Sequence, residues 1–99
     1  MENTVIVNEA VEDGVYNNVT NLALVTFFSD NPRGANKAYL VFSNSTGEKT
    51  VPIKQNEYQE KLSLAVISAQ NALQKNGNKV SVQVYESYLL GIQVFLAKD

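Results

Sequence analysis

Two short tyrosine-containing segments carry the side chains that are best suited to binding chemistry. One reads Tyr85-Glu86-Ser87-Tyr88, and the other, at residues 54–58, reads KQNEY. Sugar recognition needs an aromatic face for the C–H side of the ring, together with amide, hydroxyl or charged groups for the sugar hydroxyls. Both segments supply that mixture, so we predict that they form one carbohydrate-binding site. Its predicted residues are Lys54, Gln55, Tyr58, Tyr85, Glu86, Ser87 and Tyr88.

A purely structural role is the alternative for the same residues. Tyr85 and Tyr88 would then cover the hydrophobic core with their hydroxyls in water, and Asn56 would only cap a helix. The turn-forming residues at 30–36, which read DNPRGAN, are a second candidate site. A solvated turn is the simpler explanation for them.

Composition argues against catalysis and against a metal site. The chain has no histidine and no cysteine, so it lacks the commonest general base and the thiolate and imidazole ligands. Its acidic clusters are Glu9/Glu12/Asp13, in a terminal segment, and Glu57/Glu60, in a first helical turn where acids are favoured by the helix dipole. We predict no catalytic residue, no cofactor and no metal.

The charge distribution argues against a nucleic-acid partner. The net charge is −2 and no block of like charge occurs. A single-strand site would need the aromatic Tyr39 and Phe42 with Lys37, Lys49 and Lys54, but the apolar neighbours of both aromatics favour packing in the core. No segment is long and apolar enough to insert into a membrane, and residues 1–13 lack the features of a signal peptide.

Residues 56–77, NEYQEKLSLAVISAQNALQKNG, form the only segment with clear helical periodicity. Asn56 is the predicted N-cap, Gln59 stands at the capping-box position, and Gly77 is the predicted left-handed stop. One face of this helix is apolar and is predicted to pack on the core. Its members are Tyr58, Leu62, Ala65, Val66, Ala69, Ala72 and Leu73.

Leu64 and Ile67 do not fit this pattern, because they lie on the helix face that should meet water. Burying each of these side chains is worth roughly 1.5–3 kcal/mol, which favours association when several copies bury them together. We predict that Leu64 and Ile67 form an oligomer interface. The alternative is that both are single exposed apolar residues, which are common on protein surfaces.

The remaining segments alternate like β-strands and are joined by turn formers. Predicted strands cover residues 15–20, 22–28, 38–42, 50–54, 79–85 and 88–97. Residues 43–49 indicate a hairpin turn, Pro52 indicates an edge strand or a bulge, and Gly91 indicates a bulge. We predict a single domain over residues 1–99, in which residues 1–13 form an edge strand or a loosely held arm.

This order of elements predicts a mostly β protein with one long helix, in the α+β class. A small antiparallel barrel with the helix packed across it would leave few strand edges exposed. The apolar content of 44% and charged content of 18% are those of a globular domain. An open antiparallel sheet with the helix on one face is the alternative.

The order over residues 37–99 also contains particular features: a strand with Val51-Pro52-Ile53, one long helix, an Asn-Gly stop and two terminal strands. This order resembles that of the B subunits of AB5 toxins. The resemblance implies an OB-fold barrel, secretion, a pentamer with its long helices around a central channel, a glycan receptor, and an enzymatic A subunit as partner. In such a pentamer Leu64 and Ile67 would meet neighbouring subunits.

Two functions of different classes are therefore open. The first is an oligomeric carbohydrate-binding module without catalysis. The second is a structural or protein-interaction domain, such as a phage, surface or immunity component, with no small ligand. They differ in whether Tyr85 and Tyr88 serve a sugar or only the stability of the fold.

Overall fold

The structure, a computed structural model, describes residues 11–27 and 37–97. Its elements are β1 (Gly14–Tyr16), β2 (Asn21–Phe27), β3 (Lys37–Asn44), β4 (Gly47–Ile53), α1 (Gln59–Ala72), β5 (Lys79–Tyr85) and β6 (Tyr88–Phe95). This composition confirms the predicted α+β class, mostly β with one helix. The predicted arm, apart from residues 11–13, and the candidate loop at 30–36 lie outside the described residues.

The strands form two three-stranded antiparallel sheets, with the orders β1-β5-β6 and β2-β3-β4. Among the described residues these sheets do not close into a barrel, so the structure confirms the fold class but not the barrel. Pro52 lies in β4, at the edge of its sheet, where it is opposite Tyr39. This position agrees with the prediction from Pro52, because proline has no N–H to donate to a second neighbouring strand.

The connection between β1 and β2 joins the two sheets. The N–H of Val19 donates to the carbonyl of Val80 in β5 at 3.0 Å, whereas the next N–H, that of Thr20, donates to the carbonyl of Ser43 in β3 at 2.8 Å. Successive residues are therefore bonded to different sheets. Asn18 adopts a left-handed conformation with φ 56° immediately before this point, which an asparagine tolerates better than most residues.

The core lies between the sheets and the helix. In β5 the predicted alternation is confirmed, since Val80, Val82 and Val84 are all buried. Ser81 on the other face is buried too, and its hydroxyl donates to the side-chain oxygen of Asn17 at 2.8 Å, which satisfies a buried polar group. The other core residues are Val19, Leu22, Ala38, Leu40, Phe42, Val51, Ile53, Val66, Ala69 and Leu89.

The helix is shorter than the sequence predicts. It begins at Gln59, and the side chain of Asn56 accepts the N–H of Tyr58 at 2.8 Å instead of capping the first helical turn. The predicted capping box was wrong, because the Gln59 amide donates to the carbonyl of Ile53 instead. Gly77 is left-handed as predicted, with φ 92°, but isolated turns separate it from the last helical residue.

The helix packs on β2 and β6 through the middle of its predicted apolar face. Val66 and Ala69 are fully buried, and Leu62 and Leu73 pack against them at the edge of the core. Tyr58 was wrongly assigned to this face, because it precedes the helix and is 54% exposed. Within the described ranges, no helix is long and apolar enough to cross a membrane.

Candidate functional site

A cavity of about 470 Å³ lies beside the start of the helix and the β5–β6 hairpin. Lys54 and Tyr58 come from the segment between β4 and α1, while Tyr85, Glu86 and Tyr88 come from the hairpin. The two segments that the sequence suggested are thus neighbours in space. The described residues that line the cavity are Lys54, Asn56, Tyr58, Lys61, Leu62, Tyr85, Glu86, Tyr88, Leu89 and Leu90.

The remaining predicted site residues do not line this cavity. Gln55 is exposed between two lining residues, Lys54 and Asn56. Ser87 is half-buried at the tip of the hairpin, where its N–H is engaged by Asp13. The structure therefore brings together five of the seven predicted residues.

Lys54 and Tyr88 form a contact between the two segments that border the cavity. The Lys54 ammonium lies 5.7 Å from the centroid of the Tyr88 ring, within the range of a cation–π interaction. At a site open to water such a contact is worth about 0.5–1 kcal/mol. It connects the two segments, and the Lys54 ammonium places a positive charge at the cavity.

The tip of the β5–β6 hairpin is a tight turn with unusual residues. Glu86 and Ser87 both have positive φ, 52° and 67°, a conformation for which hairpin turns ordinarily use glycine or asparagine. The Asp13 carboxylate accepts both of their N–H groups, one on each oxygen, at 2.9 and 3.0 Å. Asp13 therefore holds the turn that separates Tyr85 from Tyr88.

The other cavity segment is ordered by Asn56. Its side-chain oxygen accepts the N–H of Tyr58 at 2.8 Å, and its carbonyl accepts the N–H of Gln59 at 3.1 Å. These bonds form a local turn that leads the chain from β4 into the helix. Asn56 thereby holds the backbone of Tyr58 while its own side chain borders the cavity.

Leu90 reaches the cavity because of a β-bulge. In the β5–β6 pairing Gln83 is opposite Gly91 and Val84 is opposite Leu89, so Leu90 is an extra residue without a partner. Its side chain is 58% exposed. Gly91 had indicated a bulge in this strand, and bulges commonly redirect side chains next to binding sites.

Sequence reasoning missed four of the lining residues that lie in the helix or in β6. They are Lys61, Leu62, Leu89 and Leu90, which come from the first turn of the helix and from β6. Asn56 had been interpreted only as a helix cap. Gly91, which indicated a bulge in this strand, was the one signal in the sequence that pointed to this wall.

A second cavity, of about 320 Å³, lies at the other end of the helix. It is bordered by the β1–β2 connection and by the segment from Leu73 to Lys79. No aromatic residue is among the described residues that line it. The combination of aromatic and polar side chains therefore occurs in the larger cavity.

Leu64 and Ile67 are exposed on the outer face of the helix, at 58% and 43% of their surface. Neither residue lines either of these cavities. In the single chain these side chains are thus available to another molecule.

Acidic side chains are sparse around the larger cavity. Glu86 is the single carboxylate among the described residues that line it. Over residues 11–27 and 37–97, no group of three or more acidic side chains is arranged to hold a metal ion.

Comparison with protein-family models, curated proteins and solved structures finds no match to this chain.

Proposed function

We propose that this chain is an oligomeric carbohydrate-binding module that resembles toxin B subunits and catalyses no reaction. The observation that carries the proposal is the cavity of about 470 Å³ with Tyr58, Tyr85 and Tyr88 on its walls. Polar and charged groups of Lys54, Asn56, Lys61 and Glu86 accompany the three tyrosines.

The chemistry of these groups supports a sugar as ligand. Tyrosine offers a flat apolar face for the C–H side of a pyranose and a hydroxyl that both donates and accepts hydrogen bonds. Lysine donates to sugar hydroxyls, the Glu86 carboxylate accepts from them, and the Asn56 amide does both. The volume lies within the range of about 300–1,000 Å³ that is usual for small-ligand sites.

An OB-like barrel is part of the proposal. Its support is the element order, the connection at Val19 and Thr20 that bonds to both sheets, and the contact between β4 and β6. Joining the sheets along β4 and β6 would complete a barrel with α1 packed across it. The cavity would then lie at one end of that barrel.

Association into a homo-oligomer is the second part, and it rests on the exposed Leu64 and Ile67. In the arrangement that the resemblance implies, the helices of neighbouring subunits cover both side chains. A secreted pentamer that carries an enzymatic A subunit to a glycan receptor is the corresponding biological role.

Binding to an immobilised glycan array tests the carbohydrate proposal, with Tyr85→Ala and Tyr88→Ala as variants. The wild-type chain should bind a defined group of glycans, and each variant should lose about tenfold or more in affinity because a stacking face is removed. Phe95→Ala is the matched control, since Phe95 is an exposed aromatic residue that does not line the cavity.

A structural or protein-interaction domain remains the second candidate. The exposed apolar side chains of Val15, Phe95 and Leu96, which do not line the cavity, favour it because they are available to a protein partner. In that case Tyr85→Ala and Tyr88→Ala would change stability only, and the glycan array would be blank.

A further inference from the structure

The cavity has an apolar wall that sugar hydroxyls alone do not explain. Leu62 and Leu89 extend from the core to the cavity, and the bulged Leu90 adds an exposed leucine beside them. We infer that this wall selects sugars that carry an N-acetyl group. The inference rests on the proposed carbohydrate function and names the substrate class of the same site.

The bulge is the feature that creates the selectivity. Without the extra residue, the pairing of β5 with β6 would continue in register and leave no unpaired residue after Leu89. With it, Leu90 departs from the alternation of the strand and borders the cavity. The cavity therefore has a leucine wall in addition to its tyrosines and polar groups.

A leucine wall distinguishes an acetamido group from a hydroxyl. A hydroxyl that faces leucine leaves water without gaining a hydrogen-bond partner, which is unfavourable. Moving the methyl of an acetamido group from water to the same leucine surface is favourable, because it buries apolar area. The presence or absence of one methyl-sized group in an apolar pocket changes affinity by at least about tenfold.

The polar side of the cavity matches the rest of the acetamido group. An acetamido substituent has one N–H donor and one carbonyl acceptor. The Glu86 carboxylate is an acceptor and the Lys61 ammonium is a donor, and both border the same cavity as the leucines. A single substituent thus finds an apolar, an accepting and a donating partner.

Matched sugars test the inference on the full chain by isothermal titration calorimetry. N,N′,N″-Triacetylchitotriose and cellotriose differ in the acetamido group that replaces a hydroxyl on each ring. N-acetylgalactosamine and galactose form the same comparison with another stereochemistry. In at least one pair the acetamido sugar should bind about tenfold tighter. Leu90→Asn should remove this preference, whereas Leu96→Asn, at a 74% exposed leucine outside the cavity, should keep it.

The outcomes separate this inference from the proposed function. Equal binding within both pairs, or binding of neither acetamido sugar, would overturn the inference, and so would a preference that persists in Leu90→Asn. In each of these cases the proposed function still stands if the glycan array shows binding to other sugars. A blank array would overturn both.

Discussion

Tyr16 shows how a single side chain joins the first strand to the core. The centroid of its ring lies 5.4 Å from the centroid of the Phe42 ring. The Lys49 ammonium lies 5.9 Å from the centroid of the Tyr16 ring. Its hydroxyl donates to the carbonyl of Glu12. Burial raises the pKa of the Tyr16 phenol, and the negative charges of Glu12 and Asp13 raise it further.

This raised pKa predicts a loss of stability at alkaline pH. The folded state favours the neutral phenol, so the contribution of Tyr16 is complete below the ordinary tyrosine pKa of about 10 and is lost as the pH rises through the higher folded value. Tyr16→Phe removes the titrating group, and with it a hydrogen bond worth about 1 kcal/mol at neutral pH. Urea unfolding between about pH 8 and pH 12 should show that the wild-type advantage shrinks as pH increases. Parallel stability curves for the two proteins would contradict this account.

At the scale of residues, local sequence was enough to find much of the candidate site. Tyr85, Glu86 and Tyr88 stood out because a tight turn with two flanking tyrosines has a distinct composition. Leu62 and Leu89 could not be found in this way, since each belongs to a regular element whose pattern predicts core packing. Their position at a cavity depends on how the helix packs against β6. That packing cannot be predicted from a local sequence pattern.

The β5–β6 hairpin is an element whose tip is held by a distant residue. Glu86 and Ser87 both adopt the left-handed conformation. For a residue other than glycine this conformation costs about 1–2 kcal/mol of conformational free energy. The two hydrogen bonds from their N–H groups to the Asp13 carboxylate offset this cost. The segment before β1 therefore determines the shape of one side of the cavity.

Asp13→Ala should loosen this turn without unfolding the protein. We expect faster amide hydrogen exchange at Glu86 and Ser87, a loss of about 1 kcal/mol in stability, and weaker binding of any glycan that contacts Tyr85 or Tyr88. Asp13→Asn keeps one carbonyl oxygen and should be intermediate. Exchange rates that stay the same in Asp13→Ala would show that the carboxylate does not hold the turn.

The helix illustrates what periodicity predicts and what it does not. The buried Val66 and Ala69 follow from the apolar spacing, because that spacing determines which face meets the core. The ends could not be predicted from capping residues alone. At the far end, the Asn78 amide donates to the carbonyl of Ala72 and its oxygen accepts the N–H of Ala97, so a tertiary contact determines how the chain leaves the helix.

For the whole molecule, the α+β class was predictable because each strand and the helix has its own local pattern. The arrangement of the six strands within residues 11–27 and 37–97 in two sheets was not, since it depends on the pairing of β1 with β5, which are far apart in the chain. The helical pattern placed Leu64 and Ile67 on the outer face, and both are exposed there. How copies of the chain would be arranged around them does not follow from a local pattern.

Association through the helix is tested by the mass of the protein in solution. Light scattering at tens of micromolar should give a multiple of the 10.9 kDa chain mass. The double variant Leu64→Asn, Ile67→Asn should give the single-chain mass, because polar side chains weaken the apolar contact between helices. Leu96→Asn is the control, since it replaces an exposed leucine outside the helix. A wild-type protein that remains a monomer would refute the oligomer proposal.

An NMR titration tests whether a sugar binds in the cavity beside the helix. The ¹⁵N-labelled chain would be titrated with the glycan that binds most strongly on the array. We predict that the amide shifts of residues 54–62 and 85–90 change with added glycan, and that Tyr88→Ala abolishes these changes. Shift changes confined to the rest of the chain, or none at millimolar glycan, would contradict it.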